Sequence, residues 1–302
     1  MGRKALLLLA AVLLLTDVQA QKKTTETAEQ NLQGRVRTLE EFEYNAETRD
    51  GTVSKDEEMG ATSHHLTTFN RRGNIEEEKS FDSEKHMISK SKYKYSEVGD
   101  LMESSEYNEK NKLCGRIVYT YNSYRQYATQ TVFLSDGSME KGSYFYSSAR
   151  LLDSTVWQTE GKKRMESYLY NAKQLLDEKN IFENGKWMEK NVYRYNAQGL
   201  IAEENFTSAE GKAHRTLYTY DEKDRILSIS QQDGNGRQES RCCWTYDPYG
   251  NLLTETWYDE NDRQTVHSHC EYTYDTQGNW TRQVWYDDGK AFTITERNIT
   301  YF

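Results

Sequence analysis

A pair of aromatic residues two apart, usually followed by Asn or Asp, recurs along this chain at a nearly fixed interval. It reads Phe42-Glu-Tyr44-Asn45, Tyr93-Lys-Tyr95, Tyr119-Thr-Tyr121-Asn122, Tyr144-Phe-Tyr146 and Tyr168-Leu-Tyr170-Asn171. It continues as Tyr193-Arg-Tyr195-Asn196, Tyr218-Thr-Tyr220-Asp221, Trp244-Thr-Tyr246-Asp247 and Tyr272-Thr-Tyr274-Asp275, with Phe69-Asn70 and Ile299-Thr-Tyr301 as weaker copies. The second aromatics fall at 44, 69, 95, 121, 146, 170, 195, 220, 246, 274 and 301, at intervals of 24 to 28. Self-similarity of this period marks an array of one supersecondary unit.

Each unit carries two turn signals. The first follows the aromatic pair, as in Asn196-Ala-Gln-Gly199 and Asp247-Pro-Tyr-Gly250. There Asn or Asp accepts a local backbone bond and Gly supplies the positive φ that closes a type I turn. The second lies mid-unit, at Asp136-Gly137, Glu160-Gly161, Asn184-Gly185, Glu210-Gly211, Asp233-Gly234 and Asp288-Gly289. Between turns lie strand-length runs rich in Tyr, Thr, Val and Trp. The expected fold is therefore all-β: a repetitive antiparallel β-meander of about ten two-stranded units, twisted and coiled as an open sheet. Tyrosines two apart share a face, so the pairs should stack into a ladder, with Thr120, Arg194, Thr219, Thr245 and Thr273 facing away. A second ladder is expected before the mid-unit turn, at Phe81, Tyr107, Phe133, Trp157, Phe182, Phe206, Tyr258 and Tyr286. Laid flat, ten units at ~9.6 Å each would run ~95 Å, and strand twist requires such a sheet to coil.

The pattern Tyr246-Asp-Pro-Tyr-Gly-Asn-Leu252 and Tyr274-Asp-Thr-Gln-Gly-Asn-Trp280 resembles the YD repeat, also called the RHS repeat, of bacterial secreted and surface proteins. The resemblance covers residues 35 to 302, most specifically in the last three units. It implies strand-turn-strand units in a spiral sheet, and either an envelope binding or adhesion role or a shell around a toxic C-terminal domain. The present chain departs from the shell type: it ends at Phe302 part-way through a unit, with no unrelated segment behind the repeats.

Composition and the N-terminus narrow the class. Arg3 and Lys4, the apolar run from Ala5 to Leu15 and the small-residue site Val18-Gln19-Ala20 read as a secretory signal peptide over 1–20. No cysteine follows it, so no lipid anchor is expected. Residues 21–34 read as a flexible polar leader, and 35–302 as the repeat domain. Loss of Arg3, Lys4 and Asp17 would take the formal charge from −9 to about −10, which leaves no electrostatic footprint for nucleic acid. The mean hydropathy of −0.98 leaves burial largely to the 23 tyrosines. An outer-membrane barrel needs an apolar outward face, whereas Lys162 to Tyr168 and Glu189 to Tyr193 place charge on both faces.

Motifs for catalysis are missing: there is no Gly-x-Ser-x-Gly, His-Glu-x-x-His or phosphate loop, so no enzyme and no cofactor is expected. His267 and His269 share a strand face, but a metal needs a further ligand. Acidic turns such as Asp259 to Asp262 lack an ordered calcium loop. Cys242 and Cys270 are expected two strands apart, ~9.6 Å, beyond the roughly 4.4–6.8 Å reach of a disulfide. The remaining candidates are aromatics near hairpin turns, Trp157, Trp187, Trp257 and Trp285 with Tyr258 and Tyr286, whose faces suit sugar rings. The expected role is an exported, non-enzymatic binding module for a carbohydrate, cell-wall polymer or envelope protein, secreted or periplasmic, with no transmembrane span. Two alternatives are an assembly protein that self-associates through its sheet edges and a remnant of a toxin-delivery shell.

Overall fold

In a computed structural model, residues 25–56 and 59–302 are described; the expected signal peptide lies outside them. The described residues form one short helix, α1 (Glu26–Glu29), and 21 antiparallel strands. Apart from one short strand after the first, each strand pairs with the next in sequence, as a meander requires, but the sheet is not open. The first strand, β1 (Val36–Arg49), pairs on one side with β3 (Ala61–Phe69) and on the other with the last strand, β21 (Lys290–Tyr301). The ring is thus a closed 20-stranded β-barrel, and the expected open sheet of ten paired units is corrected accordingly. The remaining strand, β2 (Thr52–Lys55), pairs only with the end of β1, from Ala46↔Lys55 to Arg49↔Thr52. Closure removes the edges through which self-association was expected; among the described residues only β2 keeps an unpaired side. Twenty strands at ~4.8 Å, tilted as barrel strands are, give a ring roughly 30–40 Å across. Barrels of 16–18 strands already leave an aqueous lumen.

From Tyr93 on the tyrosine pairs line the inner face, whereas the first aromatic pair of the expected ladder, Phe42 and Tyr44, faces outward. Tyr168, Tyr193 and Tyr218 are 5–7% exposed, whereas the intervening Leu169 is 56% exposed. Each second tyrosine reaches across to a specific carbonyl at the start of the strand before its own. After every tyrosine turn the new strand begins with a bulge, as between Arg194 and Tyr195, where Tyr195 faces Ile201 and Arg194 faces Glu203. The first residue of that strand has no ladder partner on its far side. A tyrosine hydroxyl takes that place: Tyr95 to Ile75, Tyr121 to Leu101, Tyr146 to Tyr127, Tyr170 to Leu152, Tyr195 to Leu176, Tyr220 to Ile201, Tyr246 to Ile226 and Tyr272 to Leu252, at 2.6–3.0 Å. The phenols are therefore rungs that continue the backbone ladder where it frays.

This register re-aligns the last two units. Tyr272, not Tyr274, occupies the regular rung, because the last units are two residues longer. The surplus tyrosines reach the rim: Tyr274 donates to Asp247 and Tyr301 to Asp275. Residues 25–34 dock there. The stretch read as a leader is not featureless from Thr25 on. Thr27 N–H donates to Gly73 O (3.1 Å), Asn31 Nδ2 to Tyr249 O (2.8 Å) and Gln33 N–H to Asn279 Oδ1 (2.7 Å). Leu32 is buried with Val36, Leu39, Phe69 and Ile75, the larger of the two apolar clusters. Gly73 has φ +85°, and a Cβ there would collide with the Thr27 hydroxyl.

The turns follow the expected chemistry with two exceptions. Asn and Asp side chains accept from the N–H groups two and four residues on, as Asn171 does from Lys173 and Leu175 and Asn196 from Gln198 and Leu200. In the turn from Asp233, however, the positive φ falls at Gly236 rather than Gly234, because the turn is one four-residue unit. Several tyrosine turns also place a non-glycine there, including Arg125, Arg150 and Gln174. The outer wall is polar: Thr120–Thr129, Thr219–Ser228 and Thr245–Thr254 pair across strands, each at 2.7 Å. Lys94–Glu103, Lys190–Glu178 and Arg215–Glu203 form ion pairs at 2.6–2.8 Å.

Three outcomes are expected. Tyr195→Phe removes only the hydroxyl that reaches Leu176 and should lower stability by about 1 kcal/mol. Gln174→Gly relieves a left-handed residue (φ 61°) and should raise it by ~0.5–1 kcal/mol. Urea unfolding followed by circular dichroism checks both, and a neutral Tyr195→Phe would remove the rung from the stability argument. The third concerns pH. Burial pushes the Tyr146, Tyr170, Tyr195 and Tyr220 hydroxyls up to about 12, against ~10 in an unfolded chain. The unfolded chain then releases protons first. The stability these groups supply is whole below pH ~10 and is lost as pH rises through about 12. A melting temperature that is level to pH ~9.5 and falls steeply above 10 is expected; a level profile to pH 12 would contradict it.

Candidate ligand-binding site

The six aromatic candidates do not form one surface. Counting from the first residue of each strand after a tyrosine turn, the sixth points into the barrel and the seventh out, because side chains alternate. Trp157 on β10 (Leu152–Thr159), Phe206 on β14 (Ile201–Ser208), Trp257 on β18 (Leu252–Tyr258) and Trp285 on β20 (Trp280–Asp287) hold the sixth place and face inward. Phe81, Tyr107, Phe133, Phe182, Tyr258 and Tyr286 hold the seventh and face outward. The expected second ladder is thus split by one-residue offsets across two faces. Trp187 also lies outside, opposite Phe182, its Nε1 donating to Asn180 at 3.3 Å. All four candidate tryptophans are half-buried, so the face they occupy, rather than their burial, separates them.

Trp157 sits in a recess of about 510 Å³ at the rim opposite the docked residues 25–34, within the ordinary range for small-ligand sites. Its cross-strand partner on β9 (Met139–Tyr146) is Gly142, and on β11 (Lys162–Tyr170) it is Arg164. Gly142 is buried, and the benzo half of the indole lies directly over it. Around the ring stand Glu140, Lys162, Arg164, Glu166 and Glu183. Glu166 is clamped by Lys179 (2.9 Å), Arg164 (3.1 Å) and the Tyr168 hydroxyl (2.7 Å). Burial alone would raise its carboxyl, but these partners hold it below the usual range, so it stays ionised. The arrangement offers one apolar ring face edged by fixed charges and hydrogen-bonding groups.

Two further inner features were not singled out from sequence. Glu255 accepts from the indoles of both Trp244 (2.9 Å) and Trp257 (2.6 Å), which locks Trp257 as wall rather than as a free platform. Arg297, nearly buried, lies 3.3 Å over the Trp280 ring and pairs with Glu41 at 2.8 Å. It borders a second recess of about 490 Å³ with Glu41, His65 and Glu78. The charged partners carried no sequence signal, since carboxylates are abundant everywhere. Gly142 did carry one: an isolated glycine inside a strand often marks a close approach.

The remaining candidates are accounted for by packing. His267 and His269 do share the outer face, where His267 bonds Thr256 (2.9 Å) and His269 stacks on Tyr286 (4.3 Å between centroids). Cys242 and Cys270 face inward, buried, and all four cysteines are free thiols. Burial pushes the Cys270 thiol up to about 11, so it is a poor nucleophile near neutrality. Among the described residues no group of three or more His, Cys, Asp or Glu is placed to hold a metal, and no helix is long and apolar enough to cross a membrane.

Comparison with known proteins adds the following. A family model described as an uncharacterised protein matches residues 125–242, less than half of the chain. No curated protein matches it. Among solved structures, the crystal structure of TcdB2-TccC3-Cdc42 is similar at 12% identity and a TM-score of 0.37, over 80% of this chain and 16% of that one. A porin-like protein from Bacteroides uniformis ATCC 8492 is similar at 10% identity and a TM-score of 0.36, over 88% of this chain and 98% of that one. Another from Bacteroides vulgatus ATCC 8482 is similar at 12% identity and a TM-score of 0.24, over 87% and 98%. The chain thus spans about a sixth of the TcdB2-TccC3 chain and nearly all of the porin-like chains; the barrel itself rests on the strand register given above.

Proposed function

We propose that this chain is an exported, non-enzymatic protein of the YD-repeat type that binds a carbohydrate or cell-wall polymer inside a water-filled barrel of the bacterial envelope or secreted space. The observation that carries this reading is the Trp157 recess, where an aromatic face and ionised side chains converge on the lumen. Trp285 faces the same lumen and would extend the contact along a polymer, whereas Trp257 is held as wall by Glu255 and Trp187, Tyr258 and Tyr286 belong to the outer wall. That outer wall supports water on both sides. Lys94, Lys190 and Arg215 face outward on separate strands, and each would cost ~2–4 kcal/mol at a bilayer midplane. Self-assembly through sheet edges loses its basis once the ring closes.

The test is retention of the mature protein, residues 21–302, on insoluble peptidoglycan and on a panel of immobilised polysaccharides. Binding to at least one, abolished by Trp157→Ala with the melting temperature preserved, is expected. A folded protein that none of these surfaces retains would remove the reading.

A further inference from the structure

The geometry points to the Trp157 recess as a subsite for a single uncharged sugar ring, with Gly142 as the residue that positions the platform. This rests on the carbohydrate reading above and narrows it. Three observations carry it. First, Trp157 and Gly142 are direct cross-strand partners on the inner face. A Cβ at position 142 would stand 2.8 Å from Cζ2 and 2.9 Å from Cε2 of the indole, inside carbon–carbon contact, so only glycine lets the ring lie flat on the strand. A flat ring presents a face to the lumen, and a pyranose presents C–H groups that such a face accepts.

Second, the recess is balanced in charge. Glu140, Glu166 and Glu183 are met by Lys162 and Arg164 and by Lys179, which pairs with Glu166, while Lys163 points to the outer wall. An acidic polymer would meet three carboxylates as well as the cations, and a polycation the reverse. A neutral ring with several hydroxyls uses both kinds of group as hydrogen-bond partners without leaving a charge unmatched. Third, about 510 Å³ holds one or two sugar rings, so the recess reads a unit of a chain and leaves the rest to the lumen.

The experiment uses the mature protein and three soluble probes: cellohexaose and N-acetylated chitohexaose, both neutral, and hexagalacturonate, which is acidic. Affinity is measured by calorimetry at low and at physiological salt for the wild type, Trp157→Ala and Gly142→Ala. Gly142→Ala keeps the indole but displaces it, and near-ultraviolet circular dichroism reports that displacement independently of binding. The expected result is a neutral probe bound with little dependence on salt, weakened more than tenfold in Trp157→Ala and three- to tenfold in Gly142→Ala, with an altered aromatic spectrum and an unchanged urea midpoint. Preference for hexagalacturonate with steep salt dependence would overturn the neutral-ring assignment. Binding unaffected by both substitutions would overturn the subsite while leaving lumenal binding intact. Should Gly142→Ala fail to fold, Trp157→Phe replaces it: a smaller flat ring should retain part of the affinity that Ala loses, and equal loss in both would overturn the platform role. If the wild type binds no probe and no surface in the retention assay, the parent reading falls and the subsite with it.

Discussion

The bond from a tyrosine hydroxyl to the first carbonyl of the strand before its own is the interaction on which the rest of this molecule depends. A meander in which the strand after each tyrosine turn begins with a bulge leaves, at that turn, a carbonyl with no ladder partner. In a thick globular core that carbonyl would be buried and costly; in a single-walled barrel it would open the wall to water. The phenol solves both by carrying a donor on an apolar body. It packs against its neighbours along the inner wall and delivers one hydrogen bond at the far end. This explains why tyrosine rather than phenylalanine recurs at the second position, and why a chain so poor in aliphatic residues closes a sheet at all.

Much of this was legible in the sequence, and for an identifiable reason. The period, the strand-turn-strand unit and the shared face of each tyrosine pair follow from local rules with a spacing of two. Those rules hold at Tyr168 and Tyr170 or Tyr193 and Tyr195 whatever surrounds them. Closure was not legible, because it depends on the accumulated twist and shear of twenty strands, to which each unit adds only a little. The face of the second aromatic row failed for the opposite reason. A single residue between the start of a strand and its aromatic decides in or out, so Trp157 and Phe182 look alike in sequence yet lie on opposite walls. The count decides only once the bulge at each strand's start is known, and that bulge leaves no compositional mark. Of the proposed binding residues, the sequence identified Trp157 by its type but could not show that Gly142 lies beneath it.

The two walls are also chemically distinct in a way composition hides. Outside, short hydroxyl pairs and Lys–Glu or Arg–Glu pairs recur on many strands, interrupted by exposed apolar residues such as Phe145 and Leu169. Inside, phenols, indoles and isolated ion pairs such as Arg297–Glu41 alternate with recesses. A wall one residue thick can have such different sides because the pleat assigns alternate positions to each. Ligand recognition can therefore vary on one side without disturbing solubility on the other.

The seam between the first and last strands carries a consequence for how the molecule is made. Glu41 and Arg297, joined across it, are 256 residues apart in sequence. Every other neighbouring pair in the ring can form as soon as its own hairpin emerges, at small entropic cost, whereas this one waits for the whole chain and bears the cost of closing the longest loop available. Until then two bare strand margins are exposed to any other unfinished copy. The docked segment ahead of β1, which bridges turns on both flanks of the seam, is placed where it would favour the intramolecular union over the intermolecular one.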